Sequence, residues 1–216
     1  MNSKLYWNTV SPLLRTILEQ LMTCELFGQF RLVGGTSLSL QLGHRRSEDI
    51  DLFTDAVYGT IDFNAIEIYL RTTFPYVSEI TCGPIGVGMP CFIGTNEKEC
   101  IKLDLFYTDQ FIQPSLTIES VRMATIEEII AMKIDVVQRG GRKKDFWDIH
   151  ELMDNYLPSQ MIALHQQRYP YGHDADLIRK KFTDFSNADD EYDPDCMSCK
   201  YWELIKLEIL RAMQGC

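Results

Sequence analysis

The chain of 216 residues has no apolar run long enough to span a bilayer, and its opening, "MNSKLYWNTVSPLLRT", lacks the hydrophobic centre of a signal peptide. A cytoplasmic protein with no membrane partner is therefore expected. A disulfide framework is missing too: seven cysteines, an odd number at irregular spacing, fit reduced thiols. Positive charge is scarce, with 21 Lys and Arg against 31 Asp and Glu, a net charge of −10. That balance argues against a broad surface for nucleic acid backbone. It leaves room for local basic pockets, and two stretches qualify: His44-Arg45-Arg46, and Arg139 with Arg142-Lys143-Lys144. No internal repeat is present.

What remains is an ordinary globular composition, long enough for one domain or two small ones with a real core. Residues 8–27 carry Leu14, Ile17, Leu18, Leu21 and Met22 at helical spacing. "FRLV" (30–33) reads as a strand stopped by Gly34-Gly35, with a short helix over 36–43. "EDIDLF", "YVSEITC" (76–82) and "CIKLDLFY" (100–107) read as strands, 62–73 as a helix, and "GPIGVGMPCFIG" as a turn-rich connection around a short strand. From Thr125 onward the texture is helical, and "TDFSNADDEYDPD" (183–195) reads as a mobile acidic loop. The expected architecture is α+β, a mixed-sheet core over residues 1–113 followed by a helical region, 114–216, packed on it.

The acids carry the chemistry. On a strand, Asp49, Asp51 and Phe53 face one side while Ile50 and Leu52 face the other. Two carboxylates beside a buried sheet require positive charge, and Mg²⁺ with phosphate oxygens supplies it economically. Asp104, in "LDL", joins them if its strand lies alongside, and three carboxylates could hold two ions for in-line displacement at phosphorus. Gly34-Gly35 lets backbone approach a ligand, and the helix after it points free N–H groups at an anion, with Thr36 and Ser37 as hydroxyl donors. His44 and Arg46 are read as nucleotide contacts, or, for Arg45 and Arg46, as solvated loop charges.

"TIEEIIAMKIDVVQRGGRKKDFWDIHEL" opens with a capping box, Thr125 and Glu128, and sets Lys133 in the middle of an apolar face of Ile126, Ile129, Ile130 and Val137. Lys133 either snorkels outward or meets an anion. Asp145 falls on the inward arc of the next helix and Asp148 at its edge, so Lys133 and Asp145 pair either across a catalytic cleft or as a buried structural ion pair. Cys196-x-x-Cys199 offers only two zinc ligands.

"VGGTSLSLQLGHRRSEDIDLF" resembles the signature of the polymerase-β-like nucleotidyltransferase superfamily. More narrowly, its Gly-Gly-Thr, Gly-His-Arg and Ser-Glu-Asp-Ile-Asp-Leu-Phe resemble the AbiEii-type nucleotidyltransferase toxins of abortive-infection and toxin–antitoxin systems. The family's lysine, basic turn and Asp-x-x-Asp helix are matched by Lys133, Arg142, Asp145 and Asp148. The resemblance implies a Mg²⁺-dependent nucleotidyltransferase acting on a nucleoside triphosphate, with a cognate antitoxin and an acceptor that can be tRNA or another RNA, or protein. It implies catalytic roles for Asp49, Asp51, Lys133 and Asp145, metal ligation by Asp49, Asp51 and Asp104, and nucleotide contact through Gly34, Gly35, Thr36, Ser37, His44, Arg46 and Lys133. The acceptor is expected near Arg139, Arg142, Lys143 and Lys144. Two rivals stand beside this reading: a sugar-nucleotide glycosyltransferase using Asp-x-Asp for Mn²⁺, and a nonenzymatic nucleotide- or protein-binding module.

Overall fold

The computed structural model describes residues 4–80 and 87–215, and the chain divides into two compact units. The first comprises Met1–Gln41, Ser47–Gln110 and Ser115–Ala124. Its elements in chain order are α1 (Pro12–Thr23), β1 (Arg31–Leu32), α2 (Gly34–Leu42), β2 (Asp49–Thr54), α3 (Phe63–Thr73), β3 (Tyr76–Val77), β4 (Gly88–Asn96), β5 (Glu99–Tyr107), β6 (Leu116–Ile118) and β7 (Val121–Met123). Ser11 caps α1 by accepting the Leu14 N–H, with Pro12 at the first helical position, so the start of α1 is fixed by local chemistry.

The strands form one mixed sheet in the order β3-β4-β5-β2-β1-β7-β6. β2 pairs parallel with β5 on one side and antiparallel with β1 on the other. The alternation expected for "EDIDLF" holds, since Ile50 and Leu52 are buried and the two acids are half-exposed. The buried face packs into a core with Leu14, Ile17, Leu18 and Leu21 of α1, Phe27, Phe30, Leu103 and Leu105.

Three features differ from the sequence expectation. The connection around Gly88 becomes a nine-residue strand, β4, because it pairs along the whole of β5. The strand expected over 76–82 is cut to Tyr76–Val77, and its residues 81 and 82 lie outside the described residues. The hairpin β6–β7 carries no alternation long enough to be read; Glu119 and Ser120 take positive φ at its turn, and β7 is held by a parallel pairing with β1.

The second unit comprises Leu42–Arg46, Phe111–Pro114 and Thr125–Cys216. It holds α4 (Ile126–Gln138), α5 (Lys143–Leu152), α6 (Pro158–Arg168), α7 (Ala175–Phe182) and α8 (Trp202–Met213). Thr125 caps α4 through the Glu128 N–H, as the motif predicts. α4 packs on α5, α6 and α7, and α5 on α8, where the rings of Trp147 and Trp202 stack with centroids 6.5 Å apart. The acidic stretch 183–195 is tethered rather than free. Asp189 accepts from Trp202 and Lys206, Glu191 accepts the Lys143 N–H, and Ala188 is fully buried. No helix among the described residues is long and apolar enough to cross a membrane.

Candidate active site

Within the first unit, the half-exposed face of β2 presents Asp49, Asp51 and Phe53, and that of β5 presents Lys102, Asp104 and Phe106. The parallel register sets Asp49 beside Lys102, Asp51 beside Asp104 and Phe53 beside Phe106, whose rings meet edge-on at 5.9 Å. Side chains level with each other on neighbouring strands are within reach of one another. Asp49, Asp51 and Asp104 therefore share one face, as the sequence anticipated.

The glycine turn abuts these acids. Val33 N–H donates to the Asp51 carbonyl at 2.9 Å, and α2 then begins at Gly34 with φ +67°. A Cβ on Gly34 would stand 2.5 Å from Asp51 Oδ2. Glycine is required twice over here, for the left-handed backbone and for the space the carboxylate fills.

The two hydroxyls after the glycines have protein partners of their own. Thr36 Oγ1 donates to the Asp49 carbonyl and lies 2.8 Å from Ser47 Oγ, while Ser37 Oγ accepts from Gln41. Both residues are buried. Thr36 clasps α2 to the start of β2, and Ser37 is bonded within α2, which leaves the backbone N–H groups of the first turn as the donors an anion would meet.

The charge balance on this face turns on Lys102, whose ammonium forms an ion pair with Asp104 Oδ2. Partial burial pulls Lys102 down, but Asp104, Asp49 and Asp51 outweigh it and hold the ammonium above its ordinary value. The other oxygen, Asp104 Oδ1, is buried without a hydrogen-bond partner among the described residues. A buried carboxylate oxygen left open is the kind of donor a hard divalent cation takes, so the donor set fits Mg²⁺ in chemistry. As the side chains lie, no three His, Cys, Asp or Glu residues among the described residues form a ready-made metal cluster.

The second unit gathers its own set. Asp148, with no exposure, accepts Arg45 Nε at 2.6 Å and Arg45 Nη2 at 2.8 Å, stands 2.8 Å from His44 Nε2, and meets Lys133 Nζ at 2.7 Å. Lys133 also donates to Asp145 Oδ1 at 2.6 Å and is 6% exposed. Asp145 Oδ2 in turn accepts the Arg142 N–H at 3.1 Å. Burial alone would pull Lys133 down, but Asp148 and Asp145 hold it above its ordinary value. Burial would likewise push Asp148 up, yet Lys133 and Arg45 hold it well below the usual carboxylate range. Of the sequence alternatives for Lys133, outward snorkelling is excluded; it sits in a closed ion-pair network. Arg45, read as a solvated loop charge, is a member of the same network, and so is His44. Sequence reasoning gave Asp148 a lesser place than its four contacts warrant.

The basic cluster splits by exposure. Arg139 is paired with Asp135 and Arg142 is bonded to Asp145, yet both side chains remain largely exposed, as does that of Arg46 beside Asp195. Lys144 is half-buried. Lys143 is buried, its ammonium 3.1 Å from Asp193 and over the Trp202 ring, and it is not offered to an acceptor at the surface. The five described cysteines are free thiols.

Comparison with known proteins gives these features a context. An uncharacterized protein of Aquifex aeolicus is 26% identical over 203 residues, covering 89% of this chain and 90% of its own length. Among solved structures, JHP933 of Helicobacter pylori aligns over 94% of this chain and 88% of its own with a TM-score of 0.56 at 20% identity. The nucleotidyltransferase toxin MenT4 of Mycobacterium tuberculosis aligns over 93% and 84% with a TM-score of 0.54 at 13% identity. These structures share the mixed-sheet fold. Residues 16–195 match the nucleotidyl transferase AbiEii toxin family of Type IV toxin–antitoxin systems, a span that includes the glycine turn, the three acids and the Lys133 network. The chain therefore belongs to the AbiEii family and is a nucleotidyltransferase.

Proposed function

We propose that the protein transfers a nucleoside monophosphate from a nucleoside triphosphate to an acceptor hydroxyl, with Mg²⁺ held by Asp49 and Asp51 and joined by Asp104. The observation that carries this reading is the parallel register that sets Asp51 beside Asp104, on the face where Gly34 abuts Asp51. Bound there, a divalent ion supplies Lewis-acid neutralisation of charge on phosphate oxygens. The chain's own residues do the rest. Gly34 and Gly35 bring backbone N–H groups to the triphosphate at the positive end of α2. Thr36 fixes Asp49 relative to those donors through its carbonyl. The acceptor oxygen attacks the α-phosphorus, its proton passes to a base, and pyrophosphate leaves.

For Lys133, Asp145 and Asp148 we infer a positioning role, because their charges answer one another in the buried network. His44 and Arg45 anchor the segment after α2 to α5 through Asp148. An RNA acceptor would be met by the exposed guanidinium groups of Arg139 and Arg142 and by Arg46. A cognate antitoxin is the expected protein partner, given the family. Family membership leaves no place for the glycosyltransferase or nonenzymatic readings.

The test is label transfer from each of four α-labelled triphosphates into total RNA and total protein, with Mg²⁺ or with a chelator. Label should enter one class of acceptor, in a metal-dependent way. Equal transfer in the chelator would overturn the metal assignment.

A further inference from the structure

Lys102 has no part in the family signature quoted above, yet it stands in the middle of the acidic face. It lies level with Asp49 across the β2–β5 pairing and two residues before Asp104 on the same side of β5. Its side chain is 42% exposed and that of Asp104 is 16% exposed. An ordinary ion pair of this exposure contributes little to stability. Here it also has a cost. Lys102 draws Asp104 Oδ2 to itself, while Asp104 Oδ1 is buried with no hydrogen-bond partner among the described residues.

We propose that Lys102 is a built-in, displaceable counter-cation of this site, which occupies the third carboxylate so that the nucleotide-free protein binds one divalent ion and not two. The inference rests on the metal reading above and extends it. Asp49 and Asp51 would take the first ion. Asp104 becomes a ligand only when the Lys102 ammonium leaves it. A lysine is suited to this exchange: its charge is compact, its stem is flexible, and partial exposure gives the head a path to solvent or to a phosphate oxygen. The incoming triphosphate brings both the second ion and an anionic partner for the released ammonium. The site thereby stays near neutral before substrate arrives, without three carboxylates facing one another unanswered.

The experiment uses the full chain without nucleotide, with Mn²⁺ as the probe, counted and titrated by electron paramagnetic resonance and calorimetry. The wild-type protein should bind one ion. Lys102→Met, which keeps the stem and deletes the charge, should bind a second ion and hold the first roughly tenfold more tightly or better, as expected when a close positive charge is removed from beside a divalent cation. Lys102→Arg should restore the single-ion behaviour. If Lys102→Met does not fold by its melting curve, Lys102→Gln removes the same charge with a polar head and is read in its place. Two ions in the wild type, or identical count and affinity in wild type and the charge-deleted variant, would overturn the proposal. Asp51→Asn separates the two levels. Undiminished Mn²⁺ binding in that variant overturns the metal reading itself, whereas lost binding there with no change at Lys102→Met overturns only the role of Lys102.

Discussion

Replacing Lys133 by Met keeps the apolar stem in α4 and deletes the one charge that bridges Asp145 and Asp148. Removing one partner of a buried ion pair costs about 3–5 kcal/mol, because the other charge is left unanswered. The geometry places this case near the lower end. Asp148 keeps three contacts, two from Arg45 and one from His44, and Asp145 keeps the Arg142 N–H. A loss of about 3 kcal/mol corresponds to a melting temperature lower by about 6–12 °C for a chain of this size. Adding Asp145→Leu should recover much of that loss. The shortfall should be about 1 kcal/mol, the worth of the carboxylate that caps the start of α5. The pH dependence follows with a definite sign. Asp148 titrates well below the ordinary carboxylate value, so its contribution is present above that value and is lost as pH falls through the depressed one. Lys133 titrates above the ordinary lysine value, so its contribution is present below that value and is lost as pH rises through the raised one. The difference in melting temperature between wild type and Lys133→Met should therefore be flat across neutral pH and narrow only in strong acid and strong alkali. Melting curves over pH, beside a nucleotide titration, check this. An unchanged melting temperature together with lost nucleotide affinity would refute the network reading and give Lys133 to the triphosphate instead.

Asp51→Asn should abolish transfer while leaving the fold intact, since relieving carboxylate repulsion rarely destabilises; near-normal Mg²⁺-dependent transfer by the folded variant would sink the ligand assignment. Gly34→Ala should cost about 1–2 kcal/mol for its left-handed backbone and should also weaken Mn²⁺ binding by displacing Asp51. Gly59→Ala is its control, with φ +82° and no atom of the described residues within 4 Å of the added Cβ, so equal metal affinity in the two variants would remove the contact argument. If the acceptor is RNA, reversing the charges of Arg139 and Arg142 together should weaken binding and flatten its salt dependence, and an unaltered salt slope would move the acceptor elsewhere.

Much of the first unit was legible because its signals are local. A period of two around Ile50 and Leu52 put Asp49 and Asp51 on one side of a strand, and a glycine pair after a short apolar run announced the turn. Thr125 three residues before Glu128 fixed the start of α4. The same periodicity carried Lys133 and Asp145 inward. The sequence could not say what they would meet there. Local pattern gives the direction of a side chain and not its partner, so the choice between cleft and closed network waited on Arg45 and His44, about a hundred residues away from Asp148. Thr36 was open for a related reason: a hydroxyl at a helix start suits a phosphate or a nearby carbonyl equally well, and here it donates to the carbonyl of Asp49. The hairpin β6–β7 escaped notice because three-residue strands have too few alternations to register. Asp104 joined the site only through the parallel pairing of β2 with β5, and Lys102 came with it. Parallel strands cannot be joined by a tight turn, so their register is set by the packing of the whole sheet on its core rather than by any short stretch of chain.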